Sequence, residues 1–264
     1  IDLVHHLEGK PLLDTLAPGE IFLGEVGNEK DYIATRVSFT LDVMGLSVNT
    51  ACSSALAAVA QGAGALLLTD QADMSVAGGS VLTFPDHGYL YEEGLVNSTD
   101  GKVRPLDAAA NGTVFGDAVG AVVMKRMADA VRDDDHIVAQ VLGFGMSNDG
   151  ARKAGYAAPG VAGRKTAVGA ALKLAGLSFV ECHATGTLIG DGIELRALAE
   201  AHRAASADLS TAPYCSIGSH KGNIGHANAA AGVCGLIKLA MCLDKQMQLL
   251  ISDLKKTEAH AVFA

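Results

Sequence analysis

The sequence contains no tryptophan and few aromatic residues of any kind. Only 5% of its 264 residues are aromatic, while 49% are hydrophobic, so alanine, valine and leucine supply most of the apolar mass. They are accompanied by 31 glycines. Small side chains let helices approach sheets closely, and a chain of this length can bury a substantial core. The composition therefore predicts a tightly layered α/β protein.

The chain also lacks an excess of positive charge. Its 29 acidic residues outnumber its 20 basic ones, which gives a formal net charge of −9. Nucleic-acid binding depends on a basic face that displaces counterions from phosphates. The charge balance therefore argues against a nucleic-acid-binding protein and leaves protein partners open.

No cysteine pair has the CxxC spacing that is typical of many metal and redox sites. Disulfide frameworks belong mainly to small secreted chains, so we expect free thiols and a reducing compartment, either cytoplasmic or plastid. The five cysteines, an odd number, are Cys52, Cys182, Cys215, Cys234 and Cys242.

Long uninterrupted hydrophobic runs are also scarce. A membrane-spanning helix needs about 20 predominantly apolar residues, and we expect no stretch of this chain to approach that length. The sequence begins at Ile1 without a charged-then-apolar leader. We therefore expect no targeting segment, and we expect the chain to be part of a longer polypeptide.

Apolar strand-like segments alternate with helical ones along the chain. Strands separated by helices predict parallel pairing and an α/β layered fold. The predicted strands are Leu46–Thr50, Ala72–Val81, Gly112–Lys125, Ile137–Gly145, Phe179–His183 and Tyr214–Gly218. The predicted helices are Cys52–Leu68, Ala128–Asp135, Arg164–Ala175, Glu194–His202 and Ala227–Leu243.

Two of these helices are built almost entirely from small apolar residues: "SSALAAVAQGAGALLL" and "ANAAAGVCGLIKLAMCL". A helix that is apolar on every side is buried on every side. One follows Cys52 and the other follows His226, so each places a reactive side chain at its start. The pattern suggests two related halves, residues 1–135 with the nucleophile and residues 136–264 with two histidines, and it predicts that the active site lies where the halves meet. The alternative is a pair of ordinary core helices.

Cys52 lies where the predicted strand turns into the first of these helices. A helix N-terminus carries partial positive charge and free N–H groups, which favour a thiolate and lower the thiol pKa. The same donors can stabilise an oxyanion, so the position suits a covalent acyl-transfer nucleophile. A lone cysteine in an apolar context is more often structural, and that alternative stays open for the residues alone.

His183 and His226 each lie at the end of a predicted element, and Lys221 precedes the second histidine. Singly, each histidine is as often structural as catalytic. Asp191 and Glu194 lie at a helix start, where they could favour the dipole or keep Lys221 charged. A zinc site is disfavoured, because the spacings match no usual ligand pattern; its ligands would be Cys182, His183, Cys215 and His220.

Five ordered motifs resemble the β-ketoacyl synthases, in particular the ketosynthase domains of polyketide and polyunsaturated-fatty-acid synthases. The similarity runs from about Gly27 to about Leu243. The motifs are "NEKDYIATRVSFTLDVMGLSVNTACSSAL", "GYLYEEGLVNSTDGKVRPLDAAANGTVFGDAVGAVVMKR", "SNDGARKAGYAAPG", "VECHATGTLIGDGIE" and "KGNIGHANAAAGVCGLIK".

The resemblance implies a role for each matching residue. Cys52 would take an acyl chain from the phosphopantetheine of an acyl carrier protein. His183 and His226 would assist decarboxylation of a malonyl extender and stabilise the enolate, and Lys221 would support the second histidine. The resemblance also implies a thiolase-like fold of five αβαβα layers, a homodimer or larger synthase assembly, and no bound cofactor or metal.

The chain departs from the family pattern at several positions. Ala184 replaces a usual glycine, Gly192 a usual proline and His220 a usual apolar residue. The segment between Ala175 and Phe179 is shorter than in the family. We find no counterpart of the family's first strands, or of its C-terminal strands with a Gly-Phe-Gly-Gly loop, so we expect the fold to be incomplete at both ends.

Two alternative functions remain at this point. A non-catalytic ketosynthase-like scaffold or chain-length subunit would be expected to have lost Cys52, and this chain retains it. A thiolase or another coenzyme-A enzyme of the same fold would need a second catalytic cysteine near the C-terminus, and none follows Cys242.

Overall fold

The computed structural model describes residues 18–83, 88–155, 158–172, 178–205 and 215–247. The helices are α1 (Pro18–Asn28), α2 (Ile33–Leu41), α3 (Ser54–Gly64), α4 (Met127–Arg132), α5 (Val161–Leu172), α6 (Leu188–Ala205), α7 (Lys221–Ile224) and α8 (Ala231–Lys245). The strands are β1 (Met74–Val81), β2 (Ala118–Lys125), β3 (Phe179–Glu181) and β4 (Ser216–Gly218).

The strands pair in two different ways. β3 and β4 are parallel, with Phe179 opposite Ser216, and α6 lies between them in the chain, as the alternating pattern predicted. β1 and β2 are antiparallel, with Met74 opposite Lys125, so the prediction of parallel pairing was wrong for this pair. The described part of the segment between them contains no helix, and an antiparallel pair needs no helical crossover.

The two alanine-rich helices pack against each other and against the β1–β2 ribbon. Their contact contains four buried residues: Ala55, Ala227, Ala230 and Val233. The helices approach at Gly232, where a Cβ atom would lie 2.7 Å from the backbone nitrogen of Leu56. Glycine is needed here because no side chain fits between the two backbones. The prediction that both helices contribute to the core is therefore confirmed. Burial on every side is wrong for the described structure, because Leu56 of the first helix and Met241 and Leu243 of the second are more than half exposed.

A second core lies between α6 and the β3–β4 pair. It contains Leu106, Cys182, Ala184 and Leu195, with Val180, Leu198 and Ile217 packed around them. α5 also packs on α6. This core supports the segment that follows β3, where His183 lies.

Two predicted strands are wrong. Leu46–Thr50 and Ile137–Gly145 have no regular secondary structure, and no described strand pairs with them. The side chain of Leu46 is 64% exposed and that of Ile137 is 41% exposed. Apolar β-branched composition favours a strand, but a strand also needs a neighbour to which its backbone can bond.

Most other predicted elements exist with shifted ends. The first alanine-rich helix begins with a 3₁₀ turn at Ala51–Ser53 and ends in a π turn at Ala65–Thr69. The second begins with a 3₁₀ turn at Asn228–Ala230. Tyr214 and residues 173–177, which include the end of the predicted helix Arg164–Ala175, lie outside the described residues.

One helix of the described part is long and apolar enough to cross a membrane. Ala51–Thr69 reaches a mean hydropathy of 1.6, which corrects the expectation that no stretch would meet that test. Length and composition are weak criteria, because core helices meet them too. Ala55, Ala57, Val59 and Ala60 of this helix are buried within the protein, so we interpret it as a core helix.

Candidate active site

Cys52 lies in a tight turn at the start of the first alanine-rich helix. Ala51, just before it, has a φ of +53°, which is unusual for a residue with a side chain. Two polar side chains support the bend: Asn49 Oδ1 accepts a hydrogen bond from the Ala51 N–H at 3.3 Å, and Ser54 Oγ accepts one from the Thr50 N–H at 2.9 Å. The turn is therefore built to fix the position of the sulfur.

Cys52, His183 and His226 converge on one point, as the sequence predicted. The Cys52 sulfur is 3.2 Å from His226 Nε2. The rings of His183 and His226 are 5.3 Å apart and nearly perpendicular. One side-chain atom from each of the three residues lies within 4.8 Å of the other two.

His226 is held by the segment that precedes β2. Its N–H donates to the Val114 carbonyl at 2.7 Å, and its carbonyl accepts from the Gly116 N–H at 3.2 Å. The Phe115 ring stacks on the imidazole with centroids 5.6 Å apart. The glycine-punctuated motif around residue 115 is therefore a support for the second histidine, and not the continuous strand from Gly112 that we predicted.

His183 is held through its backbone by the carboxylate of Glu194. The N–H groups of His183 and Ala184 each donate to one Glu194 oxygen at 2.7 Å. The sequence pattern predicted that Glu194 lies at the start of a helix. In the structure it lies within α6 and fixes the first histidine motif.

Asp191, the second acidic residue of this motif, is also buried. Its Oδ2 accepts a hydrogen bond from the Leu106 N–H at 2.9 Å, which ties α6 to the central segment of the chain. Burial raises its pKa to about 6. Asp191 therefore acts as a buried tie between segments.

Lys221 is 2% exposed, at the start of α7. Burial lowers its pKa, and the negative charges of Glu194 and Glu181 oppose that shift. Of the two carboxylates predicted to keep Lys221 charged, Glu194 therefore has this effect, and Glu181 adds to it from β3.

Both histidines are neutral at physiological pH. Burial and the positive charge of Lys221 lower the pKa of His226 to about 4. The same two causes lower the pKa of His183 well below its usual value. Neutral imidazoles can accept a proton at one ring nitrogen and donate from the other.

The expected low pKa of Cys52 is wrong. Burial raises the pKa of this thiol, and the backbone donor at the helix start and the charge of Lys221 offset only part of that rise. The dipole effect falls off within the first turn and competes with desolvation of the charged form. The resting residue is therefore a thiol with a basic nitrogen at hydrogen-bonding distance.

Sequence reasoning missed Asn228 as a neighbour of the sulfur. Its Oδ1 is 3.4 Å from the Cys52 sulfur, and its backbone φ is +34°. Asn228 follows His226 by two positions at the start of a helix, so its spacing could have indicated it. The thiol hydrogen has two acceptors within reach, Asn228 Oδ1 and His226 Nε2.

The disfavoured zinc set is not assembled. In the described part of the chain, the thiol and imidazole groups close enough to share an ion are those of Cys52, His183 and His226. His220 instead bonds to Glu181 at 2.8 Å. Cys182 lies in the core, where burial raises its thiol pKa.

Comparison with known families gives two adjacent matches. Residues 11–130 match the N-terminal domain of β-ketoacyl synthases, and residues 138–250 match the C-terminal domain of the same family. The chain belongs to the β-ketoacyl synthase family. The resemblance of its motifs is thereby confirmed across most of the sequence.

Relatives of this β-ketoacyl synthase chain are polyketide synthases. It is 44% identical over 224 residues to a component of the phenolphthiocerol/phthiocerol polyketide synthase of Mycobacterium tuberculosis, a match that covers 82% of this chain and 15% of that protein. It is 38% identical over 242 residues to 6-methylsalicylic acid synthase of Aspergillus niger, covering 89% of this chain and 13% of that protein. The β-ketoacyl synthase chain thus spans a small part of these relatives.

Solved ketosynthase domains share its fold. Ketosynthase twelve of the bacillaene polyketide synthase of Bacillus amyloliquefaciens matches with a TM-score of 0.82 and 32% identity, covering 90% of this chain and 44% of that one. The ketosynthase from module 1 of the bacillaene synthase of the same organism gives 0.77 and 33%, covering 89% and 42%. The thiolase-like α/β fold that we expected is confirmed.

Proposed function

We propose that this chain carries out the decarboxylative Claisen condensation of a ketosynthase, with Cys52 as the nucleophile. The contact that supports this most directly is the 3.2 Å separation between the Cys52 sulfur and His226 Nε2. A nucleophile and a base within hydrogen-bonding reach are the signature of covalent acyl transfer.

In the first half-reaction, the Cys52 sulfur attacks the carbonyl carbon of an acyl thioester on a carrier protein. The new carbon–sulfur bond forms as the thiol proton moves to His226 Nε2. The old carbon–sulfur bond then breaks, and the departing phosphopantetheine thiolate takes up that proton. Because the pKa of Cys52 is raised, proton transfer has to accompany the attack. Among the described residues that contact the sulfur, His226 offers the basic nitrogen.

In the second half-reaction, a malonyl thioester loses carbon dioxide. The electron pair of the broken carbon–carbon bond passes into an enolate. Its oxygen charge is stabilised by the imidazole N–H groups of His183 and of His226, the latter as the tautomer with its proton on Nε2. The enolate carbon attacks the acyl group on Cys52, and the sulfur departs as a thiolate that takes up a proton from solvent to restore the resting thiol. Neutral imidazoles suit this role, and burial keeps the pKa of both histidines low.

The partners and setting belong to the same proposal. The substrates are carried on the phosphopantetheine of an acyl carrier protein, and the protein itself binds no cofactor. The chain extends a polyketide, or alternatively a fatty acid, as part of a homodimer or larger synthase assembly. We propose a cytoplasmic or plastid location, because the five cysteines of the described residues are free thiols.

The test is alkylation of the purified protein with a cerulenin-like epoxide and acylation with acyl carrier protein substrates. We expect one covalent adduct on Cys52 by peptide mass spectrometry, together with carbon dioxide release from malonyl carrier protein. A protein that forms no adduct and releases no carbon dioxide would be a non-catalytic ketosynthase-like subunit, and the proposal would be wrong.

A further inference from the structure

One buried carboxylate joins the segments that carry the reactive histidines. Glu181 lies on β3, two positions before His183, and its side chain is 4% exposed. Its Oε1 accepts a hydrogen bond from the backbone N–H of His220 at 2.5 Å and a second from His220 Nδ1 at 2.8 Å. Its Oε2 accepts from Lys238 Nζ of α8 at 2.6 Å. Three separate parts of the chain therefore meet at this carboxylate.

His220 is the residue through which this carboxylate reaches the turn that leads to His226. The His220 carbonyl accepts hydrogen bonds from the N–H groups of Asn223 at 2.9 Å and Ile224 at 3.2 Å, so it anchors α7. Lys221 is the first residue of α7, and His226 follows its end. His220 is thus bonded through its N–H, its carbonyl and its side chain.

The side chain of His220 contributes a hydrogen bond to Glu181 rather than apolar packing alone. Because the partner of Nδ1 is a carboxylate, Nδ1 carries the proton. Its Nε2 is buried and has no hydrogen-bond partner among the described residues, which costs free energy that an apolar side chain would avoid. The ring fits over Gly235, where an added Cβ would lie 3.7 Å from it and 3.2 Å from Glu181 Cγ.

We propose that His220 is a positioning residue, whose Nδ1–H bond to Glu181 holds the turn carrying Lys221 and His226 in register with His183. This inference rests on the proposed condensation activity. Displacement of a catalytic group by about 1 Å can lower a rate about a hundredfold, so a loosened turn should reduce turnover without weakening carrier-protein binding.

The experiment compares three substitutions of similar polarity or size in the purified protein. His220→Asn keeps an N–H donor at the position of Nδ1, and His220→Leu has the same branching without a donor. His220→Gln moves the amide one bond further out. His136→Ala, at an exposed position, is the control. Carbon dioxide release from malonyl carrier protein is measured at a temperature at which circular dichroism shows each variant folded.

A positioning role predicts that His220→Leu lowers kcat by about tenfold to a hundredfold with KM unchanged, and that His220→Asn restores kcat to within about threefold of wild type. If His220→Leu does not fold, His220→Gln should show the loss that His220→Asn does not. Wild-type kcat in folded His220→Leu overturns the proposal, as does equal kcat in the asparagine and glutamine variants.

The failure of the proposed function can be recognised separately. A wild-type protein that releases no carbon dioxide contradicts the condensation activity. The role of His220 is then read from the rate at which iodoacetamide alkylates Cys52, since His226 lies against that sulfur. Positioning predicts that the leucine variant differs from wild type at least threefold while the asparagine variant does not; equal rates in all variants refute it.

Discussion

The two histidines should fail in different ways when replaced. His226 contacts the Cys52 sulfur at 3.2 Å, whereas His183 contacts the His226 ring and has no hydrogen bond to the sulfur among the described contacts. His183→Ala should therefore impair decarboxylation and spare acylation. His226→Ala should impair both half-reactions, because the same imidazole takes the thiol proton at Nε2 in the first and, as the tautomer with its proton on Nε2, donates to the enolate in the second.

The magnitudes follow from the two roles. Removing one donor to a developing oxyanion costs about 3–4 kcal/mol, or a hundred- to a thousandfold in rate, and we expect this loss of decarboxylation in both variants. Removing a general base costs about 10²–10⁴-fold, and we expect that loss of acylation in His226→Ala alone. Acylation in His183→Ala should stay within about threefold of wild type, since no base is lost.

The assay measures the half-reactions separately on the purified protein. Transfer of a radiolabelled acyl group to Cys52 reports acylation, and carbon dioxide release from malonyl carrier protein reports decarboxylation. His136→Ala serves as the control for loss of an exposed histidine. Equal losses in both half-reactions for His183→Ala would refute the division of roles, and so would normal acylation in His226→Ala.

Three further predictions concern the nucleophile, acid stability and helix packing. Cys52→Ala should abolish acyl-enzyme formation by mass spectrometry while leaving the circular dichroism spectrum unchanged, because alanine is a strong helix former; acyl transfer at the normal rate would make Cys52 structural. The pKa of His226 falls from 6.5 to about 4 on folding. The unfolded state therefore binds more protons than the folded state between these two pH values. The free energy of unfolding should drop by about 3 kcal/mol as pH falls from 6.5 to 4. Urea titrations of wild type and His226→Asn should therefore diverge below about pH 6.5, and parallel curves would contradict the shifted pKa. Gly232→Ala places a Cβ 2.7 Å from the Leu56 backbone and should destabilise the protein by about 1–3 kcal/mol. The control is Gly169→Ala in α5, where no atom lies within 4 Å of the added Cβ, and it should stabilise the protein by up to about 1 kcal/mol. Equal changes in the free energy of unfolding would mean that the helices do not approach closely at Gly232.

The elements around the candidate site could be predicted because each carries a local signal. The alanine-rich helices consist of small apolar residues, so the burial of one face of each followed from composition. Cys52 and His226 were indicated by their place at the helix starts. The parallel pairing of β3 and β4 followed from the helix between them. The roles of His183 and Lys221 were predicted from the resemblance of ordered motifs to a known family, and not from the pattern of helices and strands.

The errors arose where the outcome depends on distant parts of the chain. Leu46–Thr50 has the composition of a strand but no described partner to pair with, and a one-dimensional pattern does not report partners. The pKa of Cys52 depends on a balance between a local donor and burial, and burial is set by the whole fold. The contact between Asn228 and the Cys52 sulfur joins positions 176 apart in sequence, so spacing could indicate the residue but not the contact.

The first histidine motif, which in the family is usually His-Gly-Thr-Gly-Thr, has Ala184 in place of its first glycine and keeps the second as Gly186. The backbone explains the difference. Ala184 has no positive φ, and its Cβ fills a place in the core beside Cys182 while its N–H bonds to Glu194. Gly186 has a φ of +76°, where a side chain would be strained, and an added Cβ would lie 3.0 Å from the Gly112 carbonyl oxygen. The motif requires a backbone N–H donor at position 184 and a left-handed backbone conformation at position 186. A pattern search that requires both glycines would overlook this chain, although its geometry satisfies the same demands.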